Sequence, residues 1–446
     1  MLTSLLHFLR QAFLSVLYFG GILTIILTIF KRAEWGLYFM VALLPQPNIY
    51  YKLYDFPMGK DMLNFLFLAV LLGIFINKNG FTGTFNSIVI MVFIGISYLA
   101  LINSSINFSL PFPVTFDNPL IKPWKNYAMM IFMYFLALNA IKEEREQKNL
   151  VIIMCLVLLF ISIRSYRSFT AGEAFSYESR YPGPFWIVLL GANHFGAFIA
   201  HYLSVFLGLL LFDNDKKRKL LYLATILFGL HPLFFSYSRG AYLAALGVLT
   251  FFGILKKRSL LIVVLIILVF WHVILPASVV NRIEMSQTDF GELEHSASVR
   301  LDLWGHALKL FEENPVFGVG FGGFQFSLTE EEFYKDTHNF YLKILSEQGV
   351  IGFTFLLFIL FLAFRSGLRL LRIGNTPFQK GLGIGLLGCI TACIITNMFG
   401  DRWSYLVLGS YFWVFWGLVD RGILISQAVD KGEIEKSETN ESKGQQ

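Results

Sequence analysis

Residues 256–276 read KKRSLLIVVLIILVFWHVILP, three basic residues followed by an apolar run without a single Asp, Glu, Lys or Arg. A helix of about 20 apolar residues crosses a hydrocarbon core of roughly 30 Å, so this run has the length of a membrane span. Similar runs recur along the chain and predict 12 or 13 transmembrane helices, because several runs are short enough to merge. The predicted spans are 11–30, 34–49, 62–76, 86–103, 124–141, 149–163, 186–212, 220–236, 241–255, 259–276, 340–364, 381–399 and 405–425.

The composition excludes an ordinary soluble domain. Of 446 residues, 56% are hydrophobic and 15% are charged, whereas a soluble domain carries roughly 25% charged residues, and the mean hydropathy is +0.62. Three cysteines exclude a disulfide framework and a multi-cysteine zinc site. Because backbone groups in lipid must form their hydrogen bonds internally, a bundle of helices is favoured over a barrel of strands. We therefore predict an all-α polytopic membrane protein.

The positions of lysine and arginine predict which loops face the cytoplasm. Basic residues cluster in every second connection, for example at 31–32, 216–219, 256–258 and 365–380. The opposite loops contain few cations and are rich in proline, aromatic and turn residues. Since the net charge of +6 comes from these membrane boundaries, it does not indicate binding to nucleic acid.

This orientation predicts four regions. Residues 1–276 are expected to form an N-terminal transmembrane bundle of about ten spans, followed by a large loop at 277–339 on the side opposite the cytoplasm. The C-terminal transmembrane helices are expected at 340–425. Residues 426–446 are polar and aperiodic, which predicts a disordered cytoplasmic tail.

The large loop is predicted to contain one amphipathic helix, at 298–313. The residues on its predicted apolar face, at spacings of three and four, are Leu301, Trp304, Leu308 and Phe311. Asn314-Pro315 ends the helix, because a residue before proline avoids the helical conformation. The glycine-rich residues 318–323 that follow indicate a flexible, turn-rich segment.

Three ionisable residues on the predicted outer side are candidates for chemistry, since a charge near lipid is costly. Arg239 lies between two spans, where its guanidinium fork suits phosphate oxygens; the alternative is a side chain that reaches the lipid headgroups. Arg300 begins the amphipathic helix, where a cation opposes the helix dipole; the alternative is a surface ion pair with Asp302 or Glu294. His338 lies where the loop meets a span and can accept a proton near neutral pH; the alternative is an ordinary interfacial histidine.

Other polar residues carry weaker signals. Asn193, His194 and His201 share one span, where they either line a polar cavity or hydrogen-bond to a neighbouring helix. Asp401 and Arg402 are adjacent in a short outer turn, which suggests that they pair with each other. The sequence lacks the Walker lysine, HExxH and GxSxG motifs, so it gives no support for ATP hydrolysis, zinc proteolysis or a serine-hydrolase elbow.

An ordered set of short motifs resembles a known family. The motifs are SRGA at 238–241, RLDLW at 300–304, NP at 314–315, GVGFG at 318–322 and HNFYL at 338–342. In this order and at this topology, the chain resembles the O-antigen ligase / O-antigen polymerase superfamily of bacterial envelope glycosyltransferases. Its layout is also similar to that of the ligase-like proteins of exopolysaccharide and exosortase systems.

The resemblance implies a GT-C-type helical bundle of about 12–13 spans in the bacterial inner membrane, with one large periplasmic loop that contains helices. The implied activity is an inverting, metal-independent transfer of a glycan from undecaprenyl diphosphate to a hydroxyl on lipid A-core, another glycan or a protein. The family's two functional arginines match Arg239 and Arg300, which would bind the diphosphate, and its catalytic histidine matches His338. The residues expected to support this site are Tyr237, His194, Asn339 and Glu347. No cofactor or nucleic-acid partner is expected.

Two other functions remain open at this point. A repeat-unit polymerase of O-antigen or exopolysaccharide would share the donor and the chemistry. A lipid-linked oligosaccharide transporter belongs to another class, and it would typically show paired internal repeats with interrupted helices, which the sequence does not contain. A pure scaffold would leave the two arginines and the histidine without a role.

Overall fold

The computed structural model describes residues 2–76, 80–168, 180–285, 295–329 and 336–444. Within these ranges the chain consists of α-helices and short 3-10 helices, without β-strands. The α-helices in chain order are α1 (Leu2–Phe30), α2 (Ala33–Leu43), α3 (Pro47–Tyr50), α4 (Met62–Ile76), α5 (Phe85–Asn107), α6 (Ile121–Ala140), α7 (Glu144–Ser168), α8 (Ala192–Phe212), α9 (Lys216–Phe235), α10 (Arg239–Leu255), α11 (Ser259–Ile274), α12 (Ala277–Glu284), α13 (His295–Glu313), α14 (Gly323–Phe326), α15 (Phe340–Ile373), α16 (Pro377–Asn397) and α17 (Leu406–Gly444). The 3-10 helices are Tyr51–Asp55, Gly59–Asp61 and Gly183–Val188.

Each of the thirteen predicted spans overlaps an α-helix, so the prediction of an all-α polytopic membrane protein is confirmed. In the described part of the chain, nine helices are long and apolar enough to cross a membrane, or ten if α11 and α12, which meet at 106°, count as one span. This number is smaller than the predicted 12 or 13. The difference lies in α2, α6 and α10: α2 and α10 are short, and α6 begins with a lysine-containing turn.

Glycines allow the central helices to approach closely. The helix α16 carries a glycine-rich face at 381–388 that packs between α8 and α15. A Cβ added to Gly208 of α8 would lie 2.6 Å from the backbone nitrogen of Gly385, and one added to Gly383 would lie 2.8 Å from the carbonyl oxygen of Gly367. Membrane helices have little hydrophobic force between them, so such close backbone packing supplies much of their association.

The glycine segment, residues 318–323, packs against a break in α15. Gly349 interrupts this helix with a φ of +62°. The carbonyl groups at 346–347 therefore lack partners within the helix, and they accept hydrogen bonds from the backbone N–H groups of Val319 and Gly320 at 2.9 and 2.8 Å. The prediction of a flexible segment is wrong, because this backbone pairing holds it in place.

The amphipathic helix of the large loop is present as α13, but its buried face differs from the predicted one. Leu303, Ala307 and Leu310 are buried against residues of the glycine segment and α14. Leu301 and Leu308 are 51% and 44% exposed. The helix has apolar residues on more than one face, and the position of its neighbours, which periodicity alone does not reveal, decides which face is covered. At the end of the chain, α17 continues to Gly444, where composition predicts disorder.

Candidate functional site

A cavity of about 400 Å³ opens where α8, α10, α13 and α16 end or begin. Its wall is built from Arg180, Asn193, Ala197, Tyr237, Ser238, Arg239, Gly240, Ala241, Leu243, Arg282, Arg300, Thr396, Phe399 and Arg402. Five of these fourteen residues are arginines, and no acidic residue lines the wall within the described ranges. The cavity is therefore suited to an anion that presents several oxygens.

The turn before α10 places Arg239 at the cavity. Tyr237 adopts a left-handed backbone conformation with a φ of +52°. Its buried side chain anchors the turn, since its hydroxyl lies 3.0 Å from Ser278 Oγ. Arg239 is then the first residue of α10, where the free N–H groups of a helix start also favour an anion. The guanidinium of Arg239 and the free N–H groups at the start of α10 thus both favour an anion in the cavity.

Arg180 reaches the cavity from the segment before α8. Its Nη2 donates to Asn193 Oδ1 at 2.6 Å, and its Nε and Nη2 donate to the carbonyl oxygen of Ser236 at 3.4 Å. The guanidinium therefore connects the start of α8 to the turn that carries Arg239. A cation held in this way needs little reorganisation to meet a ligand.

The large loop supplies two more arginines. Arg300 is half-buried in α13, and Arg282 is buried in α12. Both line the cavity that Arg239 borders from the membrane helices. The two arginines predicted to bind the donor, Arg239 and Arg300, are 61 positions apart in the chain and border the same cavity.

Arg402 is one of the two buried arginines of the wall, together with Arg282. It is 5% exposed, and burial lowers the pKa of its guanidinium. Its backbone N–H donates to Asn397 Oδ1 at 2.9 Å, and its guanidinium lies against the Cα of Gly400. Because burying a cation is costly, an anionic ligand in this cavity would offset part of that cost.

The carboxylate of Asp401 pairs with Lys343 and not with Arg402, which corrects the interpretation of these two residues. This carboxylate accepts a hydrogen bond from Lys343 Nζ at 2.8 Å and also accepts from the N–H groups of Trp403 and Ser404. Burial opposes the charged form, but Lys343 and these donors outweigh it and lower the pKa of Asp401. The ion pair ties the start of α15 to the turn that carries Arg402.

His338 lies two residues before the start of α15 and adopts a left-handed φ of +51°. It does not line the cavity wall, but two of the wall's arginines are its electrostatic neighbours. Burial lowers the pKa of the imidazole most, and the charges of Arg300 and Arg402 lower it further, while Asp336 opposes them. The ring is therefore neutral at neutral pH and able to accept a proton.

Residues 223–357 match the family model for O-antigen ligase. We refer to this segment, after the family that it matches, as the O-antigen ligase domain. It contains Arg239, Arg300 and His338, and the resemblance to the O-antigen ligase / O-antigen polymerase superfamily is confirmed. No curated protein matches the chain significantly.

The predicted supporting residues occupy different places around the O-antigen ligase domain. Tyr237 lines the cavity. His194, in the first turn of α8, packs its ring edge-on against Tyr405, with the ring centroids 5.4 Å apart. Asn339 caps α15, since its Oδ1 accepts the N–H groups of the second and third residues after it. Glu347 is buried at the break in α15, where its carbonyl accepts from Gly320, and it is not part of the cavity wall.

The prediction from sequence did not include three arginines of the cavity wall. Arg180 and Arg402 lie outside the O-antigen ligase domain, and Arg282 lies in the large loop within it. The polar residues of α8 were predicted either to line a polar cavity or to hydrogen-bond to a neighbouring helix, and both occur. Asn193 lines the cavity, while His201 Nε2 forms a 2.7 Å hydrogen bond with Thr396 Oγ1 of α16.

Proposed function

We propose that this multi-pass membrane protein transfers a glycan from a lipid-linked diphosphate donor of the undecaprenyl type to an acceptor hydroxyl. The observation that carries this proposal is the arginine-lined cavity, which is bordered by Arg239 and Arg300 of the O-antigen ligase domain. The charge of Arg300 also acts on His338. The domain supports an O-antigen ligase or polymerase type of function. We propose in addition the identity of the donor, the class of acceptor and the mechanism that follows.

The arginines act on the leaving group. When the bond between the anomeric carbon and the diphosphate oxygen breaks, the electron pair stays on the diphosphate and its negative charge grows. Arg239 and Arg300 donate to these oxygens from fixed positions, with Arg180, Arg282 and Arg402 adding to the positive potential of the wall. Such prepositioned donors stabilise the charge where it develops in the transition state.

His338 acts on the acceptor. The neutral imidazole takes the hydroxyl proton as the acceptor oxygen forms its bond to the anomeric carbon. Attack from the side opposite the leaving diphosphate inverts the configuration at that carbon. The proton ends on His338 and later passes to solvent. The reaction needs no ATP, because the bond between the glycan and the lipid diphosphate already stores the energy.

The position of the cavity in the helical bundle supports a reaction at the outer face of the inner membrane. The cavity lies at the helix ends whose neighbouring loops contain few lysines and arginines, which predicts the periplasmic side. A diphosphate headgroup lies at the same depth while its polyprenyl chain extends between lipids. Both a ligase and a polymerase satisfy this arrangement.

Reconstitution tests the proposal and separates its two versions. The full-length protein is inserted into vesicles that contain the undecaprenyl diphosphate-linked glycan, with or without a separate lipid A-core acceptor. We expect transfer to the acceptor as a single inverted glycosidic bond, detected by mass spectrometry and NMR. A ladder of lengthening chains without the acceptor would identify the polymerase instead, and the absence of any transferred glycan with every acceptor class would contradict the proposal.

A further inference from the structure

A second cavity, of about 260 Å³, lies at the opposite end of the bundle. Its wall includes residues 83–86 at the start of α5. At the other end of α5, the side chains of Asn103 and Asn107 donate to the carbonyl groups of Gly318 and Val319 in the glycine segment. A helix of 23 residues is about 35 Å long, which is enough to cross a membrane, so the second cavity lies on the side of the bundle opposite the glycine segment.

The floor of this second cavity is a fixed network of hydrogen bonds. Asn86 Nδ2 donates to Asp420 Oδ2 at 2.7 Å and to Ser366 Oγ at 3.0 Å. The hydroxyl of Tyr134 also donates to Asp420 Oδ2, at 2.5 Å. Asp420 and Ser366 are each 4% exposed. The carboxylate is thus already held by protein donors.

Two arginines form the rim. Arg365 and Arg369 are exposed, line the cavity and are four residues apart on α15. Side chains at this spacing are neighbours on one helix face, and two like charges there repel each other. An anion bound between the two guanidinium groups would attract both and so offset their repulsion. With Asp420, the cavity carries a formal charge of +1, which one phosphodiester neutralises.

Exposed aromatic rings continue from the rim toward the middle of the membrane. Phe361 and Phe358 lie about one and two turns before Arg365 on α15, and they are 58% and 37% exposed. Their rings stack with centroids 6.3 Å apart. Phe85, 60% exposed, packs edge-on against Phe358. An apolar stripe directly beneath a cationic rim matches a lipid with acyl chains better than a free phosphate.

We propose that this cavity binds the phosphodiester headgroup of a membrane phospholipid with one net negative charge, such as phosphatidylglycerol. Arg365 and Arg369 hold the phosphate, and the stripe formed by Phe85, Phe358 and Phe361 receives an acyl chain. The cationic clusters of the sequence place this end of the bundle in the cytoplasmic leaflet, where anionic lipids attract basic side chains. The site is independent of the proposed glycan transfer.

The test measures binding of dioleoyl phosphatidylglycerol to the purified full-length protein by native mass spectrometry and by the rise in unfolding temperature. Each basic residue near a membrane surface contributes about 1 kcal/mol to binding of anionic lipid, so R365Q/R369Q should weaken binding about 30-fold. The matched control R372Q/K380Q removes two basic residues outside the cavity and should change binding less than about threefold. R365K/R369K keeps the charge and should retain most of the affinity.

Two results would overturn the proposal. One is equal weakening in R365Q/R369Q and R372Q/K380Q, which would mean that general surface charge, not the cavity, attracts the lipid. The other is equal stabilisation by inorganic phosphate or by dioleoyl phosphatidylcholine at the same concentration. The first of these ligands lacks acyl chains and the second lacks net charge, so either would remove the basis for an anionic lipid.

Discussion

Arg239 combines a special backbone turn, a helix start and a cavity wall, and its side-chain geometry is open to a direct test. Arg239→Ala should lower turnover by about 10²–10³, the usual cost of losing one group that stabilises developing charge. Arg239→Lys restores the charge without the planar fork, so it should recover only part of the rate. The measurement is glycan transfer in vesicles, with Arg372→Ala as a control, since Arg372 is exposed and lies outside the cavity. Full activity of Arg239→Lys would show that two-oxygen recognition is not required.

His338 predicts a pH dependence whose sign follows from its neighbours. Its pKa lies below the ordinary value of about 6.5, and the neutral ring is the active form. Activity should therefore fall only when the pH falls through that lowered pKa. Arg300→Gln removes a neighbouring positive charge, raises the pKa and should move the acid limb of kcat/KM to higher pH. Asp336→Asn should move the limb to lower pH, and identical limbs in all three proteins would contradict the assignment of His338 as the base.

At the scale of helices, the contact between the glycine segment and α15 positions the large loop over the cavity. Gly320 has a φ of +104°, and a Cβ there would clash with the backbone nitrogen of Ser104 in α5. Gly320→Ala should therefore destabilise the protein by about 2 kcal/mol or more and abolish transfer by displacing α13. Gly305→Ala, where a Cβ meets nothing within 4 Å, should be neutral or stabilise by about 0.5–1 kcal/mol. Thermal unfolding in detergent compares the two variants; equal stability would show that the docking is dispensable.

The ion pair between Lys343 and Asp401 connects α15 to the turn before α17. Lys343→Met leaves a buried carboxylate without its cation, which typically costs about 3–5 kcal/mol. The double variant Lys343→Met with Asp401→Leu removes both charges and should recover much of that stability. Chemical denaturation of the three proteins measures the coupling. A double variant that is as unstable as the sum of the two single variants would mean that the residues act independently.

The limits of prediction at this scale are physical. Hydropathy is a local property, and each of the thirteen predicted spans accordingly overlaps an α-helix. The helices α2 and α10 were predicted as spans although they contain only 11 and 17 residues, because apolarity alone does not show whether a short helix crosses the membrane. In α13, Leu303 and Ala307 are covered in place of Leu301 and Leu308, because the glycine segment and α14 lie on that side.

For the whole molecule, the site depends on parts of the chain that meet only after folding. Arg239 and Arg300 stood out because each is a cation in an unfavourable local setting. Arg180 and Arg282 gave no such signal, since their approach to the cavity depends on packing between distant helices. Arg402 was hidden by its neighbour Asp401, whose real partner is Lys343 of α15. The sequence therefore predicted that arginines would bind the diphosphate, but it identified only two of the five arginines that line the cavity.

Glycan transfer by His338→Ala tests the central claim most directly, provided that donor binding is measured in the same vesicles. The matched control is His306→Ala, since His306 of α13 bonds to Ser327 Oγ at 2.8 Å and lies outside the cavity. We predict that His338→Ala binds the lipid-linked diphosphate with nearly unchanged affinity, because the arginines remain, and transfers no glycan, while His306→Ala transfers normally. Normal transfer by a well-folded His338→Ala protein would contradict the account.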